Sequence, residues 1–155
     1  MQVVSIKAKK TLRVRVTFSN HCFSDHFDPV GYSAGDTIID EDTERPRMFC
    51  PTRYRLSFDV PQLVRNLNHP KALVWQGEHR RNWAFTIQIE SPAGPYHVFL
   101  EIRRATAEQK KLQDLNLRVE SAYHQTATPP ILLGSMGFVL LCGKTYMGEP
   151  VATKR

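Results

Sequence analysis

The chain has 155 residues, 41% hydrophobic and 23% charged, with 21 Lys and Arg against 15 Asp and Glu for a formal net charge of +6. This is the composition of an ordinary soluble globular protein, and the length suits one domain with a real core and is too short for two comfortable ones. The positive excess favours polyanions such as nucleic acid, or anionic surfaces, through long-range attraction.

The first ten residues carry lysines where the apolar core of a secretory signal would lie. The longest apolar stretch, 131–142, is interrupted by Gly134, Ser135 and Gly137 and is too short to span a bilayer. A cytoplasmic protein without membrane association is expected, with Cys22, Cys50 and Cys142 as buried free thiols.

Residues 12–18 alternate, with Leu12, Val14, Val16 and Phe18 on one face and Arg13, Arg15 and Thr17 on the other, which predicts a strand. A long polar loop follows over 19–47, with an acidic run at 40–44 and room for a short strand at Ile38-Ile39. Alternation of Arg53 and Arg55 with Tyr54 and Leu56 predicts a second strand over 49–58. Ser57 or Asp59 as cap and Pro61 in the first turn predict a helix over 59–67, buried through Leu63, Val64 and Leu67.

Strands are then predicted at 72–76, 82–90, 95–104, 115–124 and 137–146, with a tight turn at 91–95 pairing two of them as a hairpin. Residues 105–111 suit one or two helical turns, and 147–155 form a basic tail. One domain over 1–155 is expected: an N-terminal strand and loop to residue 50, a core over 51–146, then the tail. The fold class is α+β, a mostly antiparallel sheet with one main helix packed on one face.

The central strands carry the chemistry. In 95–104, Tyr96, Val98, Leu100 and Ile102 face inward, while His97, Phe99, Glu101 and Arg103 face out. In 115–124, Leu115, Leu117 and Val119 face the core in phase with Ser121 and Tyr123, and Arg118, Glu120 and His124 lie opposite. With no bulge, parity puts His97, Glu101, Arg103, Arg118, Glu120 and His124 on one wet face. Cleavage of RNA by 2′-hydroxyl attack needs a base, an acid and fixed positive charge for the phosphorane. Glu and His supply the first two without a metal, and Arg holds phosphate bidentately. The same pattern also describes a solvated face stabilised by cross-strand Glu/Arg pairs.

Two other groupings stand out. His21, Cys22, His26 and Cys50 are zinc-ligand types, but no CxxC pair anchors them, and buried thiols beside loop histidines account for them better. Arg45, Arg47, Arg53 and Arg55, with His79, Arg80 and Arg81, lie near Tyr54, Trp75 and Trp83 and suit an RNA strand, through phosphate pairing and stacking. Sequence motifs for nucleotide hydrolysis, dinucleotide redox chemistry and serine hydrolases are missing.

Leu115-Asn116-Leu117-Arg118-Val119-Glu120-Ser121-Ala122-Tyr123 resembles the last-strand signature of the barnase/EndoU/colicin/RelE-like ribonucleases, a group that includes bacterial toxins. Tyr96-His97-Val98-Phe99-Leu100-Glu101-Ile102 resembles their preceding central strand, and the order of helix then strands over about 51–146 is similar. The resemblance implies a ribonuclease in which Ser121 contacts phosphate. The chain departs from the group near the helix start, where only His69 and His79 could replace its histidine.

Together these readings lead to a metal-independent endoribonuclease-like protein that needs no cofactor. Glu101 or Glu120 would be the base, His97 or His124 the acid, and Arg103 and Arg118 the phosphate holders, with Ser121 auxiliary. Arg53, Arg55, Arg80 and Arg81 would bind RNA, and a protein inhibitor or antitoxin would restrain the activity. The alternative is a non-catalytic nucleic-acid-binding or protein-interaction module. The enzyme reading requires Glu101, Arg103 and a histidine to converge.

Overall fold

A computed structural model describes residues 1–31, 38–39, 46–77, 83–87, 94–125 and 129–151. In chain order its elements are β1 (Gln2–Ser5), β2 (Lys10–Phe18), β3 (Ser24–His26), β4 (Arg47–Phe49), α1 (Pro51–Ser57), α2 (Val60–Asn66), β5 (Leu73–Gly77), β6 (Trp83–Ile87), β7 (Tyr96–Arg104), β8 (Leu115–His124), β9 (Leu132–Gly137) and α3 (Phe138–Met147). Short 3-10 turns occupy Asn20–Cys22 and Gln109–Lys111.

The fold is α+β. Seven strands form one sheet in the order β1-β2-β8-β7-β6-β5-β9, and β3 and β4 pair separately as a small antiparallel ladder. Every neighbouring pair in the large sheet is antiparallel except β2 with β8. The predicted strands at 12–18, 72–76, 95–104 and 115–124 correspond to β2, β5, β7 and β8, and the predicted hairpin partner of β7 is β6. Ile38 makes only an isolated bridge to Met48.

Two predicted strands are helices. Residues 51–57 form α1, with Pro51 in its first turn and the Tyr54 N–H donating to the Cys50 carbonyl (2.8 Å). The period-two alternation of Arg53 to Leu56 pointed the other way; Pro51, which has the φ a helix start needs and no N–H to lose, was the stronger signal. Residues 138–147 form α3, the longest helix described, and β9 precedes it over a stretch for which the sequence predicted no element before residue 137. Phe138, Leu141 and Cys142 are its fully buried side chains, at helical spacing, but 138–142 is apolar without a break, which hides that period. Gly148, at φ 76°, ends α3, with the Glu149 N–H returning to the Lys144 carbonyl (2.9 Å).

The core lies between the helices and one face of the sheet. It joins Val60, Val64 and Leu67 from α2 and its end to Phe138 and Leu141 of α3 and to Leu12, Val98, Leu100, Leu115, Leu117 and Val119 of the strands. Gly143 lets α3 approach the N-terminal hairpin: a Cβ there would stand 2.5 Å from Ser5 Oγ and 2.8 Å from Lys7 Cβ. Among the described residues no helix is long and apolar enough to cross a membrane.

Asp114, just before β8, fixes the parallel pair. Its carboxylate, 5% exposed, accepts from the Arg13 backbone N–H (2.7 Å) and the Lys10 ammonium (2.7 Å), while its own N–H donates to the Arg13 carbonyl (2.8 Å). Burial by itself would raise this carboxyl, but the Arg13 N–H and the Lys10 charge outweigh it and hold the group below its ordinary value. The stabilisation is therefore present above the ordinary carboxylate range and is lost as pH falls through the lowered folded value. Denaturant titration of Asp114→Asn should show a loss of roughly 2 kcal/mol at about pH 7, shrinking as pH falls below the ordinary carboxylate range.

Candidate functional site

The site is set by a β-bulge. Across β7 and β8, Phe99 pairs with Ser121 but Leu100 pairs with Val119, so Glu120 is an extra residue on β8. A strand alternates faces with every residue, so one extra residue reverses the facing of all that follow. Pairs from Leu100–Val119 to Arg104–Leu115 keep the expected phase, whereas Ser121 and Tyr123 move to the wet face and Ala122 and His124 to the core face.

The bulge corrects the expected constellation. His124 does not share a face with His97. Its ring packs edge-on against Tyr96 (centroids 5.2 Å apart), and its Nε2 is buried without a hydrogen-bond partner among the described residues. Ser121, which strand parity had directed inward, lies on the wet face opposite Phe99.

His97 is on the wet face but only 3% exposed. Its Nδ1 lies 3.0 Å from Thr86 Oγ1 and its Nε2 3.2 Å from Gln125 Oε1, so both ring nitrogens are engaged. Four residues of strand, about 13 Å, separate it from Glu101. The four charged side chains gather at the other end of the face. Arg103 donates to Glu101 Oε1 (2.8 Å), Arg118 Nε lies 3.3 Å from Glu120 Oε1, and Glu101 faces Arg118 across the strands.

The histidine that joins this charged end is His21. Strand β2 stops at Phe18 opposite Val119, leaving the far half of β8 to be flanked by the chain that follows. The Ser19 N–H donates to the Val119 carbonyl (3.0 Å) and its hydroxyl to the Glu120 carbonyl (2.5 Å), which docks the 3-10 turn of His21 against the bulge. Partial burial lowers the His21 pKa, and Arg47, Arg118 and Arg53 lower it further, against the opposing pull of Glu120. The His21 side chain is exposed at the rim of this charged end, held there by the Ser19 contacts of its turn.

Arg53 closes the site from α1. It forms an ion pair with Asp25 (2.9 Å), donates to the Ser24 carbonyl (2.8 Å) and lies over the Tyr123 ring, 5.0 Å from its centroid. Arg47 of β4 donates to the Ser24 hydroxyl (2.7 Å) and carbonyl (2.9 Å). Tyr123 stacks on Phe99 (5.2 Å, 22° between planes), and Phe99 neighbours His97 (6.1 Å). Burial raises the Tyr123 hydroxyl above its ordinary value. The wet face thus carries a line of rings, His97–Phe99–Tyr123, ending under a guanidinium.

Arg53 and Arg55 were expected side by side on a strand. On a helix two positions are about 200° apart, and Arg55 is exposed away from this site. His79, Arg80 and Arg81 lie outside the described residues, as does the acidic run at 40–44. The sequence reading overlooked Asp25 and Tyr123 as site residues, and weighed His21 as a zinc ligand before preferring a loop histidine. The clue it could have used was Ser19-Asn20-His21 directly after a strand, a hydroxyl-led turn able to cap a neighbouring strand's carbonyl.

Among the described residues no three His, Cys, Asp or Glu side chains are grouped to hold a metal ion. Cys22 is buried, its Sγ 3.9 Å from the Val119 carbonyl, and burial pushes its thiol up to about 11. Cys142 is likewise pushed up, to about 12. Cys50 is only half-buried. A thiol titration with a chromogenic disulfide on the native protein should label Cys50 and spare Cys22 and Cys142, and all three should react in denaturant; rapid native labelling of Cys22 would contradict this burial.

No curated protein and no solved structure gives a match. The profile of the YjaZ family matches residues 2–146. That span runs from β1 through nearly all of α3 and contains every residue of the site just described, and the chain belongs to the YjaZ family.

Proposed function

We propose that the wet face binds single-stranded RNA. The observation that carries this reading is the line of rings on β7 and β8 that ends at Arg53, with Arg47, Arg118 and His21 beside it. Phe99 and Tyr123 keep part of their surface open, where a base can pack whatever its sequence, and guanidinium groups track the phosphates. A single strand suits a sheet face better than a duplex, because its bases are free to lie on the rings. The net charge of +6 adds long-range attraction for the same ligand.

A second reading is RNA cleavage by 2′-hydroxyl attack: the convergence of Glu101 and Arg103 with His97 that it required is not met, but Ser19 docks the turn of His21 on the Glu120 carbonyl. In that reading Glu120 takes the 2′ proton, His21 protonates the leaving oxygen and Arg118 holds the phosphate. Glu101 and Arg103 support Arg118 and Glu120 from the neighbouring strand, and Ser121 is an auxiliary phosphate contact. His97, with both nitrogens engaged, serves structure and not proton transfer. A cleaving protein would need a protein inhibitor, and one with carboxylates over Arg118 and His21 would fit this surface.

Anisotropy of a labelled single-stranded RNA tests the binding reading. Affinity should fall steeply with salt, and Arg118→Ala should reduce the slope of log affinity against log salt by about 0.7. Tyr123→Ala should weaken binding by roughly tenfold or more. RNA that does not bind, or binds equally well to both variants, would refute the proposal. Binding should also tighten as pH falls below the ordinary histidine value, because His21 then gains the proton that its arginine neighbours resist. Incubating RNA and the matching DNA in EDTA separates the two readings: cleavage of RNA alone, lost in Glu120→Gln and His21→Gln, supports the enzyme, and intact RNA leaves binding as the function.

A further inference from the structure

A cavity of about 430 Å3 opens on the same sheet face at the His97 end of the ring line. Its apolar walls are Trp75 of β5, Pro129, Pro130 and Leu132, and its polar groups include His97 and Gln125. The volume lies within the range of small-ligand pockets, which are mostly apolar with a few placed polar groups.

The polar groups are held in place. His97, 3% exposed, bridges Thr86 Oγ1 and Gln125 Oε1. The Gln125 N–H is tied to the Pro95 carbonyl (2.8 Å), so the backbone beneath the amide is anchored as well. With the amide oriented this way, His97 takes one lone pair of Oε1. The amide still offers two N–H donors and a second lone pair, a planar donor–acceptor edge. Such an edge is complementary to the hydrogen-bonding edge of a nucleobase, and the indole of Trp75 supplies a face for stacking.

The location narrows the ligand. From His97 the rings of Phe99 and Tyr123 lead to Arg53 in steps of 6.1, 5.2 and 5.0 Å. A ligand that suits the whole track is planar at one end and anionic along its length. We infer that this cavity receives one unstacked nucleobase of the bound RNA strand, read by the Gln125 amide as His97 orients it. The inference rests on the RNA-binding reading and adds a base-specific pocket to a surface that would otherwise bind any sequence. Here His97 is a positioning residue acting through Gln125.

The test uses the full chain and four probes, adenosine, guanosine, cytidine and uridine 5′-monophosphate, with ribose 5-phosphate as the base-free control. Signals of the Trp75 indole N–H and the Gln125 side-chain amide are followed by NMR. At least one nucleotide should shift both signals saturably, and ribose 5-phosphate should shift neither. Leu132→Phe, which fills the cavity with apolar bulk, should weaken nucleotide binding by at least about tenfold and RNA binding by roughly tenfold, leaving the salt slope unchanged. Gln125→Leu should change the order of preference among the four nucleotides and serves as the second variant where Leu132→Phe fails to fold. Equal shifts from ribose 5-phosphate, or wild-type nucleotide binding by a folded Leu132→Phe, would overturn the inference. RNA binding that neither variant alters would overturn the pocket and leave the proposed function standing. Pocket-dependent nucleotide binding without RNA binding would support the pocket and end the RNA reading.

Discussion

The Ser19 hydroxyl donating to the Glu120 carbonyl is a small contact with wide consequences. An extra residue in a strand leaves its main chain without a ladder partner, and a buried carbonyl without a donor is costly. Ser19 supplies the donor at the point where β2 runs out. The bulge can therefore persist in the middle of the sheet, and the facing of Ser121, Tyr123 and His124 follows from it. One hydroxyl thus couples the end of β2, the turn that carries His21 and the phase of the strand that carries Tyr123.

Around this point the structure separates apolar from charged surface sharply. Helices α2 and α3 cover one face of the sheet, and α3 comes close because Gly143 leaves no Cβ in the way of Ser5 and Lys7. The opposite face keeps its arginines, carboxylates and rings. Asp114, bonded to Lys10 and Arg13, holds the N-terminal hairpin against the central strands, and Ser24, bonded to Arg47 and Arg53, ties the β3–β4 ladder to α1. Both join residues far apart in sequence, so the site exists only once the sheet has formed.

The charges on the wet face are arranged as pairs with a cationic surplus. Glu101 and Glu120 each hold an arginine, while Arg53 and Arg47 are fixed by the Ser24 and Asp25 segment. Ion pairs on an exposed sheet contribute little stability. Their effect here is to set guanidinium positions, which lowers the cost of ordering those side chains when an anion arrives. The His21 pKa is lowered first by partial burial and then by this surplus.

Hydrophobic alternation by itself determined β2, β5, β7 and β8, the helix at 60–66 and the α+β class, because period two and helix-start chemistry are local properties. It also picked out Glu101, Arg103, Arg118 and Glu120, whose phase lies at or before the bulge. Local pattern misread 51–57, where alternating Arg and apolar residues look alike in a strand and in one short helix. It misread 138–147 as well, where the unbroken apolar run 138–142 shows no period. The bulge had no local mark, since Val119-Glu120-Ser121 alternates as any strand does. Only the pairing of β8 with β7 on one side and with Ser19 on the other reveals the extra residue. That pairing decided which histidine stands near the carboxylates, because a strand's facing is fixed by its partners and not by its own sequence.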